Sequence, residues 1–297
     1  MLRSPLTDSY KSMLDQHAIA LEIPARPKRV IEPRMSPWQL NLSELWQYRE
    51  LLYFLVWRDV KIRYKQTVIG VAWAILQPLA AMLIFALVFG YFIKVPSNDL
   101  PYPLFAYAGL LPWTYFSQAT LRSGASIVGE RALITKVYFP RLIIPLASVV
   151  APVVDFFWSL FVVLGLVLWY GIDLRLALLM LPVFLMLALF YALAVGLWLA
   201  ALNVRYRDVG YAIPLLLQIW MFASPIIYPV TLVPEQWRFA YSLNPLVNVI
   251  EGFRWGFSGN EPPEWSLIVL NILMMAALFV GGFGFFKKME QTFTDEI

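Results

Sequence analysis

The chain is 297 residues long, 60% hydrophobic and 14% charged, with a formal net charge of +4. It has no cysteine and a single histidine, His17, which excludes disulfides, thiol nucleophiles and a His/Cys metal site. Charge is almost absent from long stretches: between Gln66 and Leu121 only Lys94 and Asp99 occur, and residues 209–234 and 265–286 carry none. A helix needs about 20 apolar residues to cross the roughly 30 Å hydrocarbon core. The expectation is an all-α polytopic membrane protein, and the function has to be a membrane function.

Residues 1–42 are polar and rich in proline, with a basic cluster at Arg26, Lys28, Arg29 and Arg34. No apolar segment follows that would make them a cleaved signal peptide, so they are expected to form a cytosolic tail. Residues 43–65 place Leu45, Tyr48, Leu52 and Leu55 at helical spacing among dense charges. An amphipathic interface helix lying on the membrane surface fits both features, and a plain soluble helix is the alternative. The remainder, 66–297, is expected to be the transmembrane domain. Six spans are predicted near 69–93, 104–121, 142–169, 176–202, 209–228 and 267–286. With both termini cytosolic, 19 of the 23 Lys and Arg fall on inner segments, leaving Lys94, Arg175, Arg238 and Arg254 outside. The positive charge is thus explained by topology and does not imply nucleic-acid binding. The long outer connection, 229–266, is rich in Trp, Tyr, Phe and Pro. It predicts one or two short re-entrant helices around Asn244-Pro245, between spans five and six, or else a cap packed on the surface.

There is no GxxxxGK[ST] phosphate loop, no HExxH and no GxSxG, so no ATP-binding or hydrolytic site is expected on this chain. Asp155 is the one ionisable residue placed deep inside a predicted span. It is either a polar contact to a neighbouring helix, another subunit or a conduit, or a charge near a helix end or kink after Pro152. Arg205, Arg207 and Asp208 are expected to anchor an interfacial bend. Aromatic residues make up 16% of the chain, more than an interfacial belt requires, and a surplus lining a conduit would suit the flat faces of a sugar polymer.

Several blocks together carry a resemblance: LWQYRELLYFLVWRDVKIRYKQTVIGVAWAILQPL (45–79), YAGLLPWTYFSQA (107–119), ITKVYFPRLIIP (134–145), LNVRYRDVGYAIPLLLQIWMFASPIIYP (202–229) and LNPLVNVIEGFRW (243–255). In this order they resemble the membrane subunit of ABC-2 type exporters of bacterial polysaccharides, the branch serving O-antigen, capsule and teichoic acid. The resemblance implies a homodimer in the bacterial inner membrane, six transmembrane helices per subunit and two copies of a separate nucleotide-binding ATPase. ATP and Mg would then be held by that partner, with no cofactor or metal on this chain. The implied cargo is an undecaprenyl-type lipid-linked glycan. Other readings kept open are a smaller drug or lipid as cargo, an ATP-independent carrier or scramblase, and a membrane scaffold.

By the same resemblance, inner loop 122–141 carries the segment that docks into the ATPase, with Arg131, Lys136, Tyr138 and Arg141 as contacts. The interface helix acts as a gate, placing Arg58, Lys61, Arg63 and Lys65 near lipid head groups or a pyrophosphate. Trp73, Gln77, Gln218, Trp220 and Phe222, on spans one and five, are the expected lining of the conduit.

Overall fold

The computed structural model describes residues 42–65, 70, 72–173, 175–258 and 262–293. The expected tail 1–42 lies almost entirely outside them. Among the described residues every regular element is helical. Two helices, α1 (Leu42–Gln47) and α2 (Arg49–Lys65), precede the first apolar one, α3 (Ala72–Phe85). α3 runs on as a π-helical segment, Ala86–Phe92, into a tight turn where Lys94, Asn98 and Asp99 all take positive φ. Then come α4 (Tyr102–Gly129), α5 (Arg131–Ile134), α6 (Ile143–Val150) and α7 (Val153–Trp169). A 3₁₀ turn, Leu176–Met180, leads into α8 (Leu181–Arg205), followed by α9 (Asp208–Phe222). The long connection after α9 forms α10 (Glu235–Ser242) and α11 (Pro245–Ser258), and α12 (Trp265–Glu290) closes the fold.

Four helical stretches are long and apolar enough to cross a membrane: Ala72–Phe92, Ile143–Trp169, Leu176–Arg205 and Trp265–Glu290. α9 is apolar but shorter. α4, at 28 residues, is about 42 Å long at 1.5 Å per residue, yet it falls outside that set. It differs because it is the centre of the bundle. Most of its side chains are buried, and α8, α6, α11, α7, α3 and α9 all pack on it. A helix wrapped in protein need not be uniformly apolar, and α4 accordingly carries Thr120, Ser123 and Ser126 as buried polar residues. The second expected span also ends later than the sequence suggests, at Gly129 rather than near 121, because these buried positions extend the packed face.

Inside lipid, helices gain no hydrophobic advantage by touching one another, so close packing of small residues and interhelical hydrogen bonds have to hold the bundle. Both are present. Ser159 Oγ donates to the Ala74 carbonyl at 3.0 Å, Tyr191 to Asn271 at 2.7 Å, Trp198 Nε1 to Leu278 at 3.0 Å and Asn203 Nδ2 to Gly124 at 3.0 Å. α4 approaches α8 closely, so that a Cβ on Gly196 would stand 2.3 Å from Ser123 Oγ and 2.6 Å from Ser123 Cβ. The Ser123 hydroxyl makes no hydrogen bond, so its atoms matter there for their bulk. Gly196→Ala is expected to cost about 1–3 kcal/mol by overpacking. Adding Ser123→Gly should recover most of that loss, measured by thermal unfolding of the purified protein in detergent.

Candidate functional site

The interface helix α2 lies against α6. Leu55 is buried in this contact, and Leu45, Tyr48, Leu51, Leu52 and Val56 pack against the core. The leucine stripe seen in the sequence therefore faces protein. The outer side carries exposed Tyr53, Phe54, Trp57 and Ile62, with Lys61 and Lys65 also exposed. Aromatic and Lys side chains at one surface are the combination that suits a headgroup layer. The inward charges are all engaged. Arg58 reaches across to Glu130, its Nη1 donating to Oε2 at 3.1 Å and its Nη2 to Oε1. The same guanidinium holds Asp59 Oδ1, at 3.1 Å from Nε and 2.9 Å from Nη2. The hydrogen bond to Glu130 does most to lift the Arg58 pKa above its usual value.

At the end of α2, Arg63 pairs with Asp155, and Tyr64 donates its hydroxyl to the same carboxylate. Asp155 sits in the first turn of α7, just beyond the break at Ala151-Pro152. It is thus both a contact to a neighbouring helix and a charge near a helix end, where the helix dipole favours an anion. Burial, with Arg122 nearby, pulls the Arg63 pKa down to about 10, which still leaves it protonated at neutral pH.

Between α2, α4 and α6 the Arg58–Glu130 contact borders a groove of about 310 Å³. Arg58, Asp59, Arg122, Ser126, Glu130 and Ser148 supply its polar lining. Sequence reasoning passed over Tyr64, Arg122 and Glu130. The one available signal was Glu130, a lone acid in the most basic of the inner loops. Gln77 lines a separate small cavity beside Asp155, with Thr114 and Gln118 of α4.

Loop 122–141 is mostly ordered helix: the end of α4, then α5. Arg131, Lys136 and Tyr138 are exposed, as is Val137 between them. Arg141 is placed differently. Its backbone N–H donates to Glu290 Oε1 at 3.3 Å, its guanidinium bonds the Glu290 carbonyl, and it lies over the Phe293 ring. It ties the loop to the end of α12.

Trp73 and Gln77 are exposed on one face of α3, while Tyr211, Leu215, Gln218, Ile219 and Phe222 form an exposed stripe on α9. Trp220 is half-buried. It packs edge-on against Phe116 of α4, centroids 5.2 Å apart, and donates its indole N–H to Asn244 Oδ1 at 2.9 Å. Asn244 also accepts the Leu246 N–H at 3.1 Å, capping α11. Its amide donates to the Ala223 carbonyl and Ser224 Oγ, both at 3.0 Å. Arg254, counted in the sequence among the cations of the outer segments, is buried. Its guanidinium lies 3.6 Å over Phe105, donates to the Ile226 carbonyl at 2.9 Å and pairs with Glu251 at 2.8 Å. Gly109 makes room for it: a Cβ there would stand 3.1 Å from both Arg254 Nη2 and the Ile226 oxygen.

Residues 50–258 match the ABC-2 type transporter family. The chain belongs to that family. RfbA of Myxococcus xanthus, an O-antigen export system permease protein, is 31% identical over 258 residues, 86% of this chain and 98% of its own length. RfbA of Klebsiella pneumoniae, likewise an O-antigen export system permease, is 26% identical over 247 residues, covering 83% and 94%. The polysialic acid transport protein KpsM of Escherichia coli is 28% identical over 234 residues, covering 75% and 88%. The span of this ABC-2 match takes in nearly all of α2, both ion-pair contacts, the basic loop, α10 and α11.

Within this ABC-2 chain the Arg63–Asp155 pair is largely buried, with side-chain exposures of 19% and 14%. Breaking such a pair costs more than removing it whole. Asp155→Leu should lower stability by about 3 kcal/mol, whereas Arg63→Met together with Asp155→Leu should come within about 1 kcal/mol of the parent. Detergent thermal-shift curves of the two variants separate these values.

Proposed function

We propose that this chain is the permease subunit of an ATP-driven exporter that moves a lipid-linked, O-antigen-like polysaccharide across the bacterial inner membrane. What carries the proposal is the near end-to-end correspondence with O-antigen export permeases of two organisms. Two copies of the chain would pair, each with six crossings, both termini cytosolic, and each bound to one ATPase subunit that holds ATP and Mg. α4 and α9 would supply the crossings beyond the four that length and composition identify. The pairing of α10 with α11 around Asn244-Pro245 supports their being re-entrant on the outer side.

In this arrangement Arg131, Lys136 and Tyr138 meet the ATPase, and Arg141 holds their loop in place from within. α2 is the cytosolic gate. Lys61 and Lys65 face the head groups, while Arg58 and Arg63 fasten the gate to the bundle. Trp73, Gln77, Gln218 and Phe222 lie on exposed faces of α3 and α9 that would line the conduit between the two copies. Trp220 stands at its outer end, buttressed by Phe116 and Asn244.

Purification from native membranes in mild detergent, followed by mass spectrometry, should find a stoichiometric partner bearing a phosphate loop. Tyr138→Ala should weaken that association by about 2 kcal/mol, roughly thirtyfold. Trp220→Ala should lower glycan export while leaving the assembled complex and its ATPase intact. Recovery of the chain alone, even after mild crosslinking, would refute the ATPase pairing, and unaltered export would remove Trp220 from the conduit.

A further inference from the structure

Glu130 occupies a junction that no expected site residue shares. Its backbone N–H donates to the Ser126 carbonyl at 3.0 Å, closing α4. Its carbonyl accepts from Leu133 and Ile134 at 3.0 and 3.1 Å, opening α5. The residue itself leaves helical geometry, at φ −99° and ψ 24°. Any movement of α5 relative to α4 therefore turns at this residue, beside Gly129, around which a side chain would meet open space. The Glu130 carboxylate belongs to a third element, being held in a forked contact by Arg58 of α2.

We propose that Glu130 is a coupling residue, through which displacement of the exposed α5 segment is passed by way of Arg58 to the interface helix α2. This rests on the reading of residues 131–138 as the ATPase-docking surface. A two-point, charge-assisted fork transmits direction as well as attraction, because both N–H···O bonds must move together. The groove bordered by Arg58, Gly129 and Glu130 leaves space for that motion. Arg58 also has Asp59 on its own helix, so release of Glu130 does not strand a cation. The link thus has two arrangements: Arg58 shared between both carboxylates, or held by Asp59 alone. An element with two discrete states is what coupling between distant sites requires.

The chain contains no cysteine, so a single Tyr53→Cys on the exposed face of α2 takes a spin label cleanly. The complex with its ATPase is reconstituted in vesicles, and label mobility and glycan export per ATP hydrolysed are measured with and without ATP. In the parent background ATP should change the mobility. In Glu130→Gln, Arg58→Glu and Glu130→Arg the change should vanish and export per ATP should fall roughly tenfold, with the ATPase still bound. The double reversal Arg58→Glu/Glu130→Arg should restore both to within about twofold of the parent, which assigns the loss to this pair. Glu130→Gln should keep the parent's thermal stability and lose only the ATP response, as a purely structural role would not. A mobility change that persists in Glu130→Gln with the ATPase bound overturns the coupling role, as does a double reversal without rescue. Failure of the docking surface is told apart by Tyr138→Ala: if that variant keeps its ATPase and its ATP response, the docking assignment is wrong and the proposal falls with it.

Discussion

Helices that meet inside lipid cannot be held together by exclusion of water, and the architecture of this chain follows from that constraint. α4 touches α8 through a glycine opposite a serine, and most of the other bundle helices are tied by side-chain donors reaching backbone carbonyls across the interface. These contacts fix the end of α4 and the start of α7, which is where Glu130 and Asp155 stand. The charged attachments of the interface helix are only as well placed as the packing beneath them.

The interface helix shows how polar and apolar terms divide the work. Leucines seat it on α6, without direction. Ion pairs from Arg58 and Arg63 to separate elements set its register, and the forked contact of Arg58 with Glu130 tolerates little displacement. Desolvating such groups offsets much of the attraction, so the pairs hold the helix in position without making it immovable. Around α10 and α11 the pattern repeats in a drier setting. Arg254 is buried over Phe105 and bonded to the Ile226 carbonyl, and Asn244 joins the α9 exit to the start of α11. This segment is pinned to α4 and α9 at points that a freely solvated loop would not possess.

The helical class, the leucine stripe of α2 and the two short helices that meet at Asn244-Pro245 were legible because each rests on local periodicity or on a turn signal. The ABC-2 family was legible from the order of the blocks, and the match over 50–258 bears it out. Partner choice is not local, and there the sequence fell silent. Nothing near Arg254 in the sequence points to Gly109, 145 positions earlier, which opens a place for it beside Ile226. Arg141 stood out in its basic loop, but its contacts with Glu290 and Phe293 required the path of the chain. Asp155 was singled out by its apolar surroundings, but Arg63 and Tyr64 as its partners required the path of the chain. α4 escapes hydropathy for the opposite reason: its protein-facing surface can carry serine and threonine at little cost.

The central claim is that this bundle moves a lipid-linked glycan and that a separate ATPase drives the movement. It is tested most directly in sealed vesicles containing the chain, its ATPase and a fluorescent lipid-linked glycan, with ATP supplied on the ATPase side. The account predicts that the glycan becomes protected on the opposite side only when ATP is hydrolysed. Equal movement without ATP, or with the ATPase left out, would contradict it and identify the chain as a scramblase.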